Sequence, residues 1–294
     1  MPQLTALHLH PLKSAYRLSP GSARVEPWGL AGDRRWMLVD ERGKAYTQRE
    51  NPAVGRFKVL PGEDGSLTVT GPDGAHLVVV APSGAAGAER VNADIFGSVF
   101  EAAPAGEEAQ RWFGERLPGV RLLHLDDPRS RAVSPEYSEP GETVSMADGF
   151  PLLLTTTASL AALNELIAAE HPGDEVNGAA LPMERFRPNL VVSGTEAWAE
   201  DGWRRIRVGE LTFRVVKPCG RCVITTTDQE TGERFHEPLR TLAKYRRFGK
   251  SLVFGQNLIP DRPEGVSGDL LGTVRLGDEV TVLEEGPRPE PDRR

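Results

Sequence analysis

Arg204-Arg-Ile-Arg-Val-Gly-Glu-Leu-Thr-Phe-Arg-Val-Val216 carries the clearest structural signal in the chain. Ile206 and Val208 alternate with arginines, Gly209 interrupts, and Leu211, Phe213 and Val215 then alternate with Thr212 and Arg214. A period of two sends successive side chains to opposite faces, as in a half-buried strand. Working outward, short runs of similar character occur at Leu4–His10, Trp36–Asp40, Arg56–Leu60, Ser66–Thr70, His76–Val80, Val120–Leu125, Asn189–Ser193 and Val274–Leu283. Turn signals such as Glu63-Asp64-Gly65 and Pro72-Asp73-Gly74 separate them,. The expected fold class is mostly β, largely antiparallel, with some α. Apolar spacing of three and four predicts helices near residues 107–116, 158–170 and 237–247,. The second has Thr157 as its expected cap and Leu160, Leu163 and Ile167 on one face,.

At 294 residues the chain calls for one large barrel or two joined β-rich lobes,. The Pro/Glu-rich stretch Ser134–Glu142 lies near the expected boundary between an N-terminal lobe, 1–120, and a larger C-terminal lobe, 121–284. Residues 285–294 are expected to form a disordered tail, and Ala81–Arg90 a mobile surface loop,. Hydrophobic and charged shares of 39% and 26%, with no apolar run of roughly 18 residues, exclude an integral membrane helix,. The start lacks the pattern of a secretory or mitochondrial presequence, so cytoplasmic residence is expected,. A net charge of −7 disfavours nucleic-acid binding, and any anionic ligand needs a local cluster of cations,.

The strand signal of the opening stretch runs into Lys217-Pro-Cys-Gly-Arg-Cys-Val-Ile-Thr-Thr-Thr-Asp228, which holds both cysteines of the chain. Two cysteines are too few for a disulfide framework. Structural zinc would need a second pair, and His236 has no partner at a suitable interval,. A redox dithiol would sit before a helix, whereas Cys222 opens a Val-Ile-Thr-Thr-Thr run of strand propensity, with Thr225, Thr226, Thr227 and Asp228 expected on that strand,. There remain a thiolate stabilised by Arg221 and Lys217, suited to a soft, redox-active metal, and two small side chains buried in a core. His8 and His10 are read as half-buried histidines on one strand, and Trp36 and Trp203 as core aromatics.

Further segments carry a resemblance. They are His10-Pro-Leu-Lys-Ser14, Gly29-Leu-Ala-Gly-Asp-Arg-Arg-Trp-Met-Leu-Val39, Ala147-Asp-Gly-Phe-Pro-Leu-Leu-Leu-Thr155, Phe186-Arg-Pro-Asn-Leu-Val-Val-Ser-Gly194, Phe254-Gly-Gln256 and Gly272-x-Val-x-Leu-Gly-Asp-x-Val280. In that order around the cysteine segment, they resemble the MOSC family. The similarity is nearest the subgroup containing the mitochondrial amidoxime-reducing component and bacterial relatives that reduce N-hydroxylated bases. The resemblance implies a MOSC N-terminal β-barrel-like domain followed by a MOSC β-barrel domain. It also implies a bound molybdenum cofactor (Mo-molybdopterin), with Cys222 as metal ligand and catalytic residue and Cys219 as bystander. Its cofactor-binding positions fall on Lys13, Ser14, Arg34, Arg187, Asn189, Gly220 and Arg221, and on the backbone of Asp148, Gly149 and Phe150. Gly220 departs from a serine common in that slot, which removes a possible hydroxyl contact, and Ala15 stands where many members have cysteine.

The implied activity is reduction of N-hydroxylated small molecules at the N–O bond. The bacterial relatives often carry an iron–sulfur domain with its own cysteines, so electrons are expected from a separate reductase or ferredoxin-like protein. Two other classes are a sulfur carrier using a Cys222 persulfide and a non-catalytic carrier of the cofactor. For the cations the bland alternatives are a surface salt bridge at Arg187 and solvated strand-edge charges at Lys13 and Arg34, while Asn189 could serve only as a turn former.

Overall fold

A computed structural model describes residues 1–82 and 89–292. The opening alternation folds as a hairpin, Trp203–Val208 against Leu211–Gly220, with Ile206 opposite Phe213 and Val208 opposite Leu211, all four buried. It belongs to an eight-stranded sheet. The path runs Gln3–Leu7, Leu190–Ser193, Leu152–Thr156, Ser251–Pro260, Leu211–Gly220, Trp203–Val208 and Val280–Glu285, with Arg247–Phe248 beside Ser251–Pro260. Leu152–Thr156 and Leu190–Ser193 are parallel, and the other pairs antiparallel. The two edges touch at a bridge between Gln3 and Glu279. The sheet therefore curls around a core that includes Leu4, Leu154, Trp203, Phe213 and Leu258,.

A second body packs Trp36–Val39, Arg121–His124, Ser98–Pro104 and Val91–Ile95 as one sheet, with the meander Lys58–Pro61, Leu67–Thr70 and His76–Val79. Helix α1 (Glu107–Arg116) contributes Phe113 to its core beside Trp36, Phe57 and Leu122. The bodies are laced together by the start of the chain: Gln3–Leu7 pairs with Leu190–Ser193, and Ser22–Glu26 with Gly272–Arg275. Two further α-helices occur among the described residues, α2 (Thr157–Glu170) and α3 (Leu239–Tyr245).

Several local expectations change. The cap of α2 is Thr156 rather than Thr157; its side chain accepts from the Ser159 N–H at 3.2 Å. The run read as one strand near the C-terminus is two, Gly272–Arg275 and Val280–Glu285, because Gly277 (φ 89°) turns the chain between them,. Leu152–Thr156 lacks a legible alternation because all five residues are buried,. Disorder was expected after Glu284, yet Gly286 N–H donates to Gly202 O at 2.8 Å, Arg204 Nη2 to Pro287 O at 2.6 Å, and Asp292 N–H to Arg247 O at 2.8 Å. Residues 293–294, and 83–88 of the expected mobile loop, lie outside the described residues.

Candidate functional site

Where the two bodies meet, a cavity of about 360 Å³ opens at the end of strand Leu211–Gly220. Lys13, Ser14, Arg34, Asp148, Gly149, Phe150, Arg187, Asn189, Gly220, Arg221 and Cys222 all line it, although they come from stretches far apart in sequence. Six cations line it (Lys13, Arg34, Arg49, Arg187, Lys217 and Arg221) against the single carboxylate of Asp148 among the described residues. In a chain of net charge −7 that concentration is the local cluster an anionic ligand requires,.

The N-terminal segment supplies one wall. Lys13, 4% exposed, donates to Met146 O at 2.9 Å and pairs with Asp148. Burial pulls its ammonium down to about 8, against the opposing pull of Asp148,. Asp148 itself, despite the cost of desolvation, is held well below the usual carboxylate range by Lys13 and Arg49. Arg34 pairs with buried Asp33 and donates to Asn189 Oδ1 at 3.2 Å and to Arg187 O at 3.3 Å. Neither Lys13 nor Arg34 is a solvated strand-edge charge. Ser14 (φ 66°), Arg34 (φ 49°) and Arg187 (φ 53°) all take the left-handed backbone region, which non-glycine residues rarely adopt,. Three such residues on one cavity are strain concentrated where function is expected.

Arg187 is not a surface salt bridge. It is 8% exposed, donates Nη1–H to Ala15 O at 2.8 Å, and leaves Nη2 buried with no partner among the described residues. Burial, with Arg34 adding repulsion, pulls it down to about 9. Arg221 Nε is likewise buried and unpartnered. On the same cavity, the backbone N–H groups of Asp148, Gly149 and Phe150 make no backbone hydrogen bond among the described residues. That turn is held in shape by Arg131, which was not anticipated. Its guanidinium donates to the carbonyls of Ser145 (2.5 Å), Ala147 (2.6 Å) and Asp148 (3.1 Å). Asn189 is more than a turn former: Nδ2 donates to His8 O at 3.1 Å, and Oδ1 accepts from the Leu153 N–H at 3.2 Å as well as from Arg34.

The cysteine segment departs from its expected form. The strand ends at Gly220, and Val223–Thr226 is a 3-10 turn with Cys222 at the position before it, its side chain making no capping bond. Thr225 Oγ1 donates to Cys222 O and Thr226 Oγ1 to Val223 O, both at 2.8 Å, so the threonines bond to their own backbone and do not extend the strand,. The neighbouring cations also behave differently. Arg221 Nη1 donates to the sulfur of Cys219, at 2.8 Å, and Lys217 Nζ stacks over the Tyr137 ring at 4.3 Å. The cation on Cys222 is Arg49, whose Nη2 lies 3.2 Å from Cys222 Sγ and 3.1 Å from Asp148 Oδ2. No local motif marked Arg49. His8 and His10 lie beyond strand Gln3–Leu7 and are fully rather than half buried; His8 meets Ser19 Oγ at 2.9 Å and His10 meets Pro188 O at 3.3 Å. Trp36 and Trp203 are core residues.

Comparison with known proteins follows the same outline. A family model described as MOSC domain matches residues 141–281, and one described as MOSC N-terminal beta barrel domain matches residues 1–119. Mitochondrial amidoxime-reducing component 1 of Mus musculus is 29% identical over 295 residues, covering 94% of this chain and 81% of that protein. Mitochondrial amidoxime reducing component 2 of Homo sapiens is 31% identical over 287 residues, covering 93% and 81%. Molybdenum cofactor sulfurase of Oryza sativa subsp. japonica is 28% identical over 291 residues, covering 94% of this chain and 35% of that protein.

Proposed function

The chain belongs to the MOSC family, and from that premise we propose that its cavity holds a molybdenum cofactor and that the protein reduces N-hydroxylated compounds. The observation that carries the reading is the pairing of a cysteine sulfur with a cationic wall that is partly unsatisfied. Cys222 lines a cavity in which, among the described residues, Arg187 Nη2 and Arg221 Nε are buried without partners and three successive N–H groups make no backbone hydrogen bond. Buried donors without acceptors are unfavourable, and an anion such as a phosphate satisfies them. A thiolate suits a soft metal. Among the described residues no three His, Cys, Asp or Glu side chains cluster to complete a metal site, so a metal held by Cys222 would take its other ligands from an organic cofactor.

On this reading Arg187, Arg221 and the Asp148–Phe150 backbone hold the phosphate and pterin, and Cys222 ligates the metal. When bound, the cofactor supplies two-electron chemistry that cleaves the substrate N–O bond; with two protons the oxygen leaves as water. Asp148, ionised between Lys13 and Arg49 at the cavity edge, orients water and substrate N–H groups. The electrons come from a reductase or ferredoxin-like partner, and we keep a cytoplasmic setting within the proposal.

Likeness to the rice sulfurase favours a second reading, a sulfur carrier with a Cys222 persulfide,. Metal analysis of protein from a host that makes the cofactor separates the two. About one molybdenum per chain, lost in Cys222→Ala and kept in Cys219→Ala, supports the first; a persulfide without molybdenum supports the second. Turnover of an amidoxime with an artificial electron donor then distinguishes an enzyme from a carrier of the cofactor.

A further inference from the structure

The hairpin between Val91–Ile95 and Ser98–Pro104 closes through Phe96 and Gly97, with Ile95 paired to Ser98. Both turn residues have positive φ, 54° and 87°, a geometry for which Asn-Gly is the preferred sequence,. Phenylalanine suits this position neither by backbone nor by solvation, for its side chain is 69% exposed. What it does have is a partner: the Arg49 guanidinium lies 4.7 Å from the centre of its ring. The same guanidinium donates to Cys222 Sγ and Asp148 Oδ2. From the other side, Arg234 Nη2 donates to Arg49 O at 2.8 Å and to Gln48 O, fixing the backbone from which Arg49 projects.

We propose that Arg49 and Phe96 are a pair of positioning residues: Phe96 holds Arg49 by ring contact, and Arg49 holds the sulfur of Cys222 by an N–H···S hydrogen bond. The turn gives up its preferred residue for a ring that keeps an arginine aimed at the site. The consequence for a bound metal rests on the proposed cofactor reading. A hydrogen bond to a ligating sulfur withdraws electron density from it and favours the reduced metal, as hydrogen bonds to sulfur do in other metal–thiolate centres.

The first test is independent of the metal. In cofactor-free protein at about pH 10, above the ordinary thiol value of about 8.5 so that loss of a cation does not change the amount of thiolate, alkylation of Cys222 by iodoacetamide is followed by peptide mass spectrometry, with Cys219 as internal reference because its sulfur is held by Arg221 instead. Phe96→Asn installs the residue the turn prefers, so thermal stability is kept or raised. Freed of its ring, Arg49 leaves the sulfur more often, and the Cys222 to Cys219 ratio rises roughly threefold, the population change that an exposed cation–π contact can hold. An unchanged ratio, or a ratio that rises only as stability falls, overturns the proposal. In molybdenum-loaded protein, Arg49→Met shifts the metal potential to lower values and alters the Mo(V) resonance, Phe96→Asn does so less, and Arg49→Lys lies between. Identical potentials and spectra in all three overturn the electronic consequence. Absence of molybdenum from the wild type would count against the cofactor reading alone, while the alkylation ratio still decides the positioning.

Discussion

Replacing Arg187 with methionine should stabilise the cofactor-free protein while weakening its hold on an anionic ligand. The side chain is buried, and its guanidinium falls from an ordinary value of 12.5 to about 9. At 1.36 kcal/mol per unit, keeping that charge buried without an anion beside it costs roughly 5 kcal/mol,. Against this stands one hydrogen bond, Nη1–H to Ala15 O at 2.8 Å, whose loss also strands the carbonyl and removes roughly 2–3 kcal/mol,. The left-handed backbone at φ 53° burdens arginine and methionine alike and cancels. Arg187→Met is therefore expected to gain roughly 2 kcal/mol, which for a chain of this size is a rise in melting temperature of about 3 °C. Calorimetry of cofactor-free wild type and variant at pH 7 measures it. The same variant should retain less than about a tenth of the wild-type molybdenum after gel filtration, since a charge-assisted pair in a desolvated site is worth more than 1.4 kcal/mol. A variant that melts below the wild type, or that retains the cofactor equally well, would refute the view that Arg187 is an unsatisfied cation kept for a ligand.

Arg131→Met should have the opposite sign. Relief of the charge, which burial pulls down to about 10, is worth about 3 kcal/mol, but three carbonyls lose their donor, so chemical denaturation should show a net loss of roughly 3 kcal/mol,. Gly29→Ala places a Cβ 2.8 Å from Pro151 O at φ 135°, next to the Asp148–Phe150 turn, and should lose about 2 kcal/mol or more together with molybdenum,. Gly220→Ser puts its Cβ 3.6 Å from Ser251 Oγ, an ordinary contact, and should change stability by less than about 0.5 kcal/mol,. Lys13 predicts a pH dependence. Unfolded, it keeps its proton up to the ordinary 10.5, and folded it releases it at about 8. From pH 8 upward the unfolded chain binds more protons, so the burial penalty, present in full below pH 8, is relieved and stability rises toward about pH 10. Urea titrations of cofactor-free protein should show the rise from pH 8 in wild type and, in Lys13→Met, only the smaller rise above about pH 9 that Arg187 contributes by the same reasoning,.

How much was legible depended on the range of the interaction. Alternation at Arg204–Val216 marked a hairpin because each of its strands has one buried and one wetter face. Leu152–Thr156 and Ser251–Pro260 gave no such sign because neighbouring elements bury nearly all of them,. Strand propensity misread Val223–Thr226, since hydroxyl groups that can bond to the backbone of their own turn were free to do so where no ladder partner was present,. The ordered motifs carried Lys13, Arg34, Arg187, Asn189 and Cys222 to one cavity without any knowledge of distance. They could not show which cation meets which sulfur. Adjacency in sequence suggested Arg221 for Cys222, but an arginine beside a cysteine on an extended backbone points elsewhere, and here it reaches Cys219,. Local pattern was enough for a mostly β chain and for a cysteine segment rich in neighbouring cations, while the cofactor entered only through the family resemblance. Packing of distant segments joined Arg49 to Cys222 across 173 positions and buried Arg187 Nη2 with no partner among the described residues, contacts that no local stretch of sequence encodes.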